Sequence, residues 1–111
     1  MKALIALMSV LLVAPALAAD APDHAAAHRY LIERTFPPGA LEGLDAAGKT
    51  RINSTNAEFG VRWVTSYANA DKTKTFCIYE GPTEAAVREA ATANGIPVDS
   101  VTEVPVTLSP E

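Results

Sequence analysis

Cysteine is almost missing from this chain, with one residue, Cys77, in 111. A lone thiol cannot close an internal disulfide, so stability has to come from a packed core, from association of copies, or from both. Histidine is nearly as scarce, at His24 and His28 only. That poverty weighs against enzymes built on a histidine base. Cations are few and scattered singly: nine Lys and Arg stand against thirteen Asp and Glu, for a net charge of −4. A phosphate backbone needs clustered cations, which excludes nucleic acid as a partner. A long apolar run occurs once, at the N-terminus. It is too short to span a bilayer comfortably, and no second one follows, so no stable membrane insertion is predicted.

What that first segment does have is order. Met1-Lys2 is a short positive start, Ala3–Val13 an apolar stretch, and Ala16-Leu17-Ala18 a small-residue cleavage pattern, the three-part layout of a secretory signal peptide. The alternative is a retained N-terminal anchor. No lipobox cysteine follows. Cleavage after Ala18 leaves an exported protein, periplasmic or secreted, of 93 residues with eight basic and thirteen acidic side chains, enough for one small domain. Residues 19–27 (ADAPDHAAA) form a flexible linker without an apolar face, and 28–111 form the domain. His24 and His28 stand at the helical i, i+4 spacing of a metal pair, but Pro22 and the absence of packing residues oppose a helix there.

Periodicity then sets out the domain. In HRYLIERTF (28–36), Tyr30, Ile32, Arg34 and Phe36 alternate against Leu31, Glu33 and Thr35, a strand that Pro37-Pro38-Gly39 ends. Leu41, Leu44, Ile52, Thr55 and Phe59 recur at helical spacings, which predicts one helix over about Leu41–Glu58, weakened by Gly43 and Gly48. Val61–Pro82 is a β-hairpin signature. Its first strand alternates Val61, Trp63, Thr65 and Tyr67 against Arg62, Val64 and Ser66. Its second alternates Phe76, Ile78 and Glu80 against Thr75, Cys77 and Tyr79. Thr83 is an N-cap for a helix over Glu84–Asn94, Gly95 its C-terminal stop, and Pro97 a bar to continuation. Val101–Leu108 reads as a last strand that Pro105 confines to an edge. The order strand–helix–strand–strand–helix–strand is α+β and ferredoxin-like, a four-stranded antiparallel sheet with two helices on one face. Both faces of the hairpin carry sizeable side chains, so the open face predicts a homodimer.

Four segments together carry a resemblance: RYLIERTFP (29–37), VRWVTSY (61–67), KTFCIYEGPTEAAVREAA (74–91) and GIPVDSVTEV (95–104). In this order they resemble a family of small bacterial proteins grouped as domain of unknown function four-two-four-two, some of whose members are described as nickel-binding. The resemblance implies a ferredoxin-like subunit that pairs through its open sheet face, and no known reaction. It also implies nickel as a cofactor, held by imidazoles. The family pattern often places a histidine where this chain has Thr65, and another where it has Ala90. Neither side chain replaces imidazole as a nickel ligand.

Within the domain the residues open to metal are then His28, Cys77 and Glu80. Cys77 reads either as a small buried hydrophobe or as a soft ligand or redox thiol. Glu33 and Glu80 sit in strands, where a covered carboxylate is either ion-paired, with Arg34, Arg62 or Arg88 as partners, or functional. Trp63, Tyr67 and Tyr79 either pack the core and interface or line a ligand cleft, together with Thr65. The leading function is a non-catalytic exported dimer that binds a small ligand or metal in or near its sheet-face cavity. Two others remain open: a cofactor-free enzyme of the dimeric α/β-barrel type, oxygenase- or isomerase-like, by analogy of fold, and a purely structural interaction module.

Overall fold

The computed structural model describes residues 27–111; the leader at 1–18 and the linker through residue 26, His24 included, lie outside the described residues. Strand β1 runs His28–Thr35, a short 3-10 turn covers Ala40–Gly43, and helix α1 spans Ala46–Glu58. Strands β2 (Arg62–Ala68) and β3 (Lys74–Gly81) follow, then helix α2 (Glu84–Asn94) and strand β4 (Ser100–Glu103). The strands form one antiparallel sheet in the order β2-β3-β1-β4. With the two helices packed on one face, this is the ferredoxin-like arrangement. Among the described residues no helix is long and apolar enough to cross a membrane.

Register decides which side chains meet the helices. Tyr30 lies opposite Tyr79, Ile32 opposite Cys77 and Arg34 opposite Thr75. Directly opposed residues share a face, and all six are buried. Tyr30, Ile32, Cys77 and Tyr79 join Val61, Val87 and Ala90 in one core cluster, against which Phe59 and Trp63 pack. The other face of β1 and β3 carries Leu31, Glu33, Phe76, Ile78 and Glu80.

Three expectations are corrected. The single helix over Leu41–Glu58 is two pieces, a 3-10 turn and α1. Leu44 is extended between them (φ −82°, ψ 98°), and the Asp45 side chain caps α1 by accepting from the Gly48 amide at 2.8 Å. A satisfied N-cap next to Gly43 wins over continuous helical periodicity, because the cap needs an extended backbone at its own position. Strand β2 does not alternate simply. Trp63 lies opposite Tyr79 but Thr65 lies opposite Ile78, so Val64 is the extra residue of a β-bulge. A bulge reverses the facing of everything beyond it. Trp63 and Ser66 therefore share the helix face, while Thr65 and Tyr67 share the open face. Finally, β4 stops at Glu103 rather than Leu108. The Val104 amide still donates to the Arg29 carbonyl at 2.8 Å, but Pro105 has no N–H to extend the ladder.

Helix α2 matches its sequence signals at both ends. Thr83 accepts from the Ala86 amide at 3.0 Å, and Gly95 takes the left-handed C-terminal position at φ 69°, which glycine occupies without strain. The loop that follows is tied to the sheet through Asp99. Its amide donates to the Glu33 carbonyl at 2.8 Å, and its carboxylate accepts from the Thr35 hydroxyl at 2.5 Å and from Lys74 at 3.4 Å. The Thr35 hydrogen bond, more than the Lys74 charge, holds the Asp99 carboxyl below its ordinary 3.8. A carboxyl lowered by folding stabilises the fold above its unfolded pKa and loses that contribution as pH falls through its folded value. Asp99→Asn should therefore lower the melting temperature at pH 7, and the gap to the parent protein should close as pH falls below about 4. A gap that persists unchanged at pH 2 would show that the ion pair and hydrogen bond are not its cause.

Candidate functional site

The alternation of β1 and β3 and the bulge of β2 together place a set of polar and aromatic groups under α1 rather than on the open face. Between that part of the sheet and α1 lies a cavity of about 570 Å³, within the range of small-molecule sites. Its floor is Arg34 from β1, Thr75, Cys77 and Tyr79 from β3, and Trp63 and Ser66 from β2. The roof comes from Leu41 and Leu44 on the 3-10 turn and its exit, with Gly48, Arg51, Ile52 and Thr55 on α1. The helical stripe read from the sequence thus lines a cavity instead of closing onto the sheet. The break at Leu44-Asp45 helps to keep it open. Gly48 packs tightly under the cap of α1, where a Cβ would stand 3.3 Å from Asp45 Oδ1 and 3.4 Å from Leu44 Cδ1.

Polar groups in the cavity are held by short bonds. The Trp63 indole N–H donates to Ser66 Oγ at 2.8 Å, a contact that the bulge makes by putting both residues on one face. Arg34 is 2% exposed. Its Nη1 donates to the Pro97 carbonyl at 2.8 Å, and its Cζ stands 5.4 Å from the Tyr79 ring centroid, within cation–π range. Burial pushes the Tyr79 phenol up from its usual value, with the Arg34 charge working against that rise. The Tyr79 hydroxyl is thus a neutral donor across the physiological range. The Cys77 thiol donates to Thr75 Oγ1 at 3.6 Å. No base stands beside it among the described residues, so the cavity lacks the nucleophile–base pair that covalent catalysis needs.

The family profile for the nickel-responsive protein SCO4226-like matches residues 30–104, most of the chain. The chain belongs to the SCO4226-like family. The match bears out the nickel-related family resemblance read from the sequence. Among solved structures, the chain is similar to the crystal structure of SCO4226 from Streptomyces coelicolor A3(2), at 17% identity and a TM-score of 0.54 over 72% of this chain and 99% of that one. At that identity the likeness is one of fold. No curated protein matches the chain in sequence.

Nickel, which the family description raises, meets a poor donor set among the described residues. Cys77 points to the helices, whereas Glu80, three positions on, lies on the open face bound to Arg62 at 2.8 and 3.2 Å. His28 sits at the end of β1, its Nδ1 2.7 Å from Glu103 Oε2. The three sequence candidates for metal are therefore not brought together. No group of three or more His, Cys, Asp or Glu with metal-site spacing occurs among the described residues. Imidazole and thiolate donors suit nickel, and these residues do not assemble them.

Of the sequence candidates for ligand binding, Trp63, Cys77 and Tyr79 meet in the cavity; Tyr67 borders it from the edge strand, although its register puts it on the open face. Glu33, Thr65 and Glu80 lie on the open face instead. Glu80 is held there by Arg62, one of the partners expected from the sequence, whereas Glu33 stands 3.9 Å from Lys74, which was not among them, and both carboxylates are partly exposed. Sequence reasoning missed Arg34 and Arg51 as site residues. For Arg34 the signal was present: a charge alternating in phase with Tyr30 and Ile32, on the apolar face of a central strand.

Proposed function

We propose that this chain is an exported, non-catalytic binding protein that holds a small molecule in the cavity beneath α1 and works as a homodimer. The observation that carries the reading is the 570 Å³ space itself, walled by leucines, isoleucine and aromatic rings with a few fixed polar groups, the usual make-up of a small-ligand site. Export rests on the three-part pattern of residues 1–18. The dimer is supported by the open sheet face, where Phe76 is 37% and Tyr67 66% exposed beside Leu31 and Ile78. Such a face is covered most simply by a second copy of itself.

The test is a thermal-shift screen on protein recovered after export, whose intact mass reads whether Met1–Ala18 has been removed. Small organic ligands and nickel are screened side by side, because ligands that bind the native state raise its melting temperature. The expected result is a saturable shift with organic ligands, and sedimentation at twice the mass of the chain. Monomeric protein with no organic hit rejects the reading. A stoichiometric nickel shift that His28→Ala abolishes moves the binding site to the edge of β1.

A further inference from the structure

The cavity carries a charge with no counterpart. Arg62, Lys74 and Arg88 each meet a carboxylate, at 2.8, 3.4 and 2.8 Å. Arg34, which is far more buried than any of them, forms no ion pair among the described residues. Neither does Arg51, on the opposite wall. The residues lining the cavity include these two arginines and no aspartate or glutamate. A buried cation is tolerated when it is paired and hydrogen-bonded, and an arginine carries five N–H donors in a fork suited to a carboxylate. Arg34 uses one of them on the Pro97 carbonyl. Its Cζ stands over the Tyr79 ring, 5.4 Å from the centroid.

Resting on the reading of this cavity as a ligand site, we infer that its ligand is a small organic acid, whose carboxylate pairs with Arg34 and whose apolar body fills the space between Trp63, Leu44 and Ile52. Three features define that class. The unpaired Arg34 guanidinium lies at the floor, so the carboxylate enters first. The walls are predominantly apolar and aromatic, which disfavours a bare inorganic anion with no body to bury. The Tyr79 hydroxyl stays protonated and can add a second donor, and Ser66 and Thr75 offer hydroxyls on the same face of the sheet. Arg51 lies on exposed α1 and adds long-range attraction, so it sets the salt dependence of binding more than its depth.

Trp63 is the sole tryptophan of the chain and lines the cavity, so its fluorescence reports occupancy directly. The experiment titrates the full mature protein with phenylacetate, benzoate and octanoate, and with the matching neutral amides. The expected result is saturable binding of at least one acid, at least tenfold tighter than its amide. Arg34→Met should weaken that acid on the order of a hundredfold while leaving the amide within a few-fold, since truncating one side of a buried charged pair strands the other. Arg51→Gln should weaken it only a few-fold and flatten its salt dependence. Acid and amide binding equally well would overturn the inference and leave the ligand-binding reading standing. Binding of neither across the panel would overturn both. If Arg34→Met does not fold, the acid–amide ratio on the parent protein still decides.

Discussion

Ile32→Ala should destabilise the protein by about 2–5 kcal/mol, the range for a fully buried aliphatic side chain cut to a methyl. Ile32 is 0% exposed and stands in β1 with neighbours on both sides, opposite Cys77 on β3 and Val101 on β4. It belongs to the cluster that joins the sheet to Val87 and Ala90 of α2. Removing its outer carbons leaves a void that β1 cannot close without breaking pairing on both edges. A domain of this size melts roughly 4–8 °C lower for each kcal/mol lost, so the fall in melting temperature should be on the order of 10–30 °C. With no disulfide to limit the unfolded chain, that is a large share of a stability of about 5–15 kcal/mol. Ile32→Val, which keeps most of the volume, should cost about 0.5–1.5 kcal/mol. Chemical denaturation of both variants checks the pair. A loss below 1 kcal/mol for the alanine would mean that α2 is not seated on β1 as described.

Arg34→Met should do the opposite and raise the stability of the ligand-free protein, by about 1–3 kcal/mol. Replacing buried ionic groups by well-packed apolar ones of similar size is often stabilising by 1–4 kcal/mol. Here the group replaced is a guanidinium without a carboxylate. The change forfeits the Pro97 hydrogen bond, worth about 1.5–3 kcal/mol for a charged donor, and the Tyr79 contact. It also removes a desolvation penalty of several kcal/mol, and methionine adapts to the vacated channel. A structural arginine would behave differently, since its loss would lower the melting temperature with or without ligand. Urea unfolding of ligand-free parent and variant distinguishes the two. A destabilised variant would assign Arg34 to holding the Pro97 loop, whereas a stabilised one would show that the native residue is retained at a stability cost that function explains.

Much of the architecture was legible in the residues because its signals are local. The Thr83 cap and Gly95 stop bound α2 within the chain itself. The alternation of Phe76, Ile78 and Glu80 against Thr75, Cys77 and Tyr79 survives intact in β3, which is central and regular. The break at Leu44-Asp45 was half legible. Asp45 is a good cap read alone, but the stripe of Leu41, Leu44 and Ile52 spoke for one helix, and only the capping geometry resolved the conflict. The bulge at Val64 left no sequence mark, because VRWVTSY alternates equally well in either register. It is the two-against-one match to β3 that reverses Thr65 and Tyr67 to the open face and brings Ser66 beneath Trp63.

The chain by itself determined the element order, the nickel-related family and the absence of an internal disulfide. These follow from composition and from periodicities of two and 3.6 residues, which act between near neighbours. The tertiary structure alone decided that the chemistry-bearing side chains gather under α1 and not on the hairpin's outer face. It alone decided that His28, Cys77 and Glu80 stay apart, and that Arg34 faces an acid-free cavity. Those outcomes depend on register across the sheet and on the seating of α1, contacts between different elements of the chain. Arg34, read in the strand as one charge among several, becomes the centre of the site only once its opposite wall is in place.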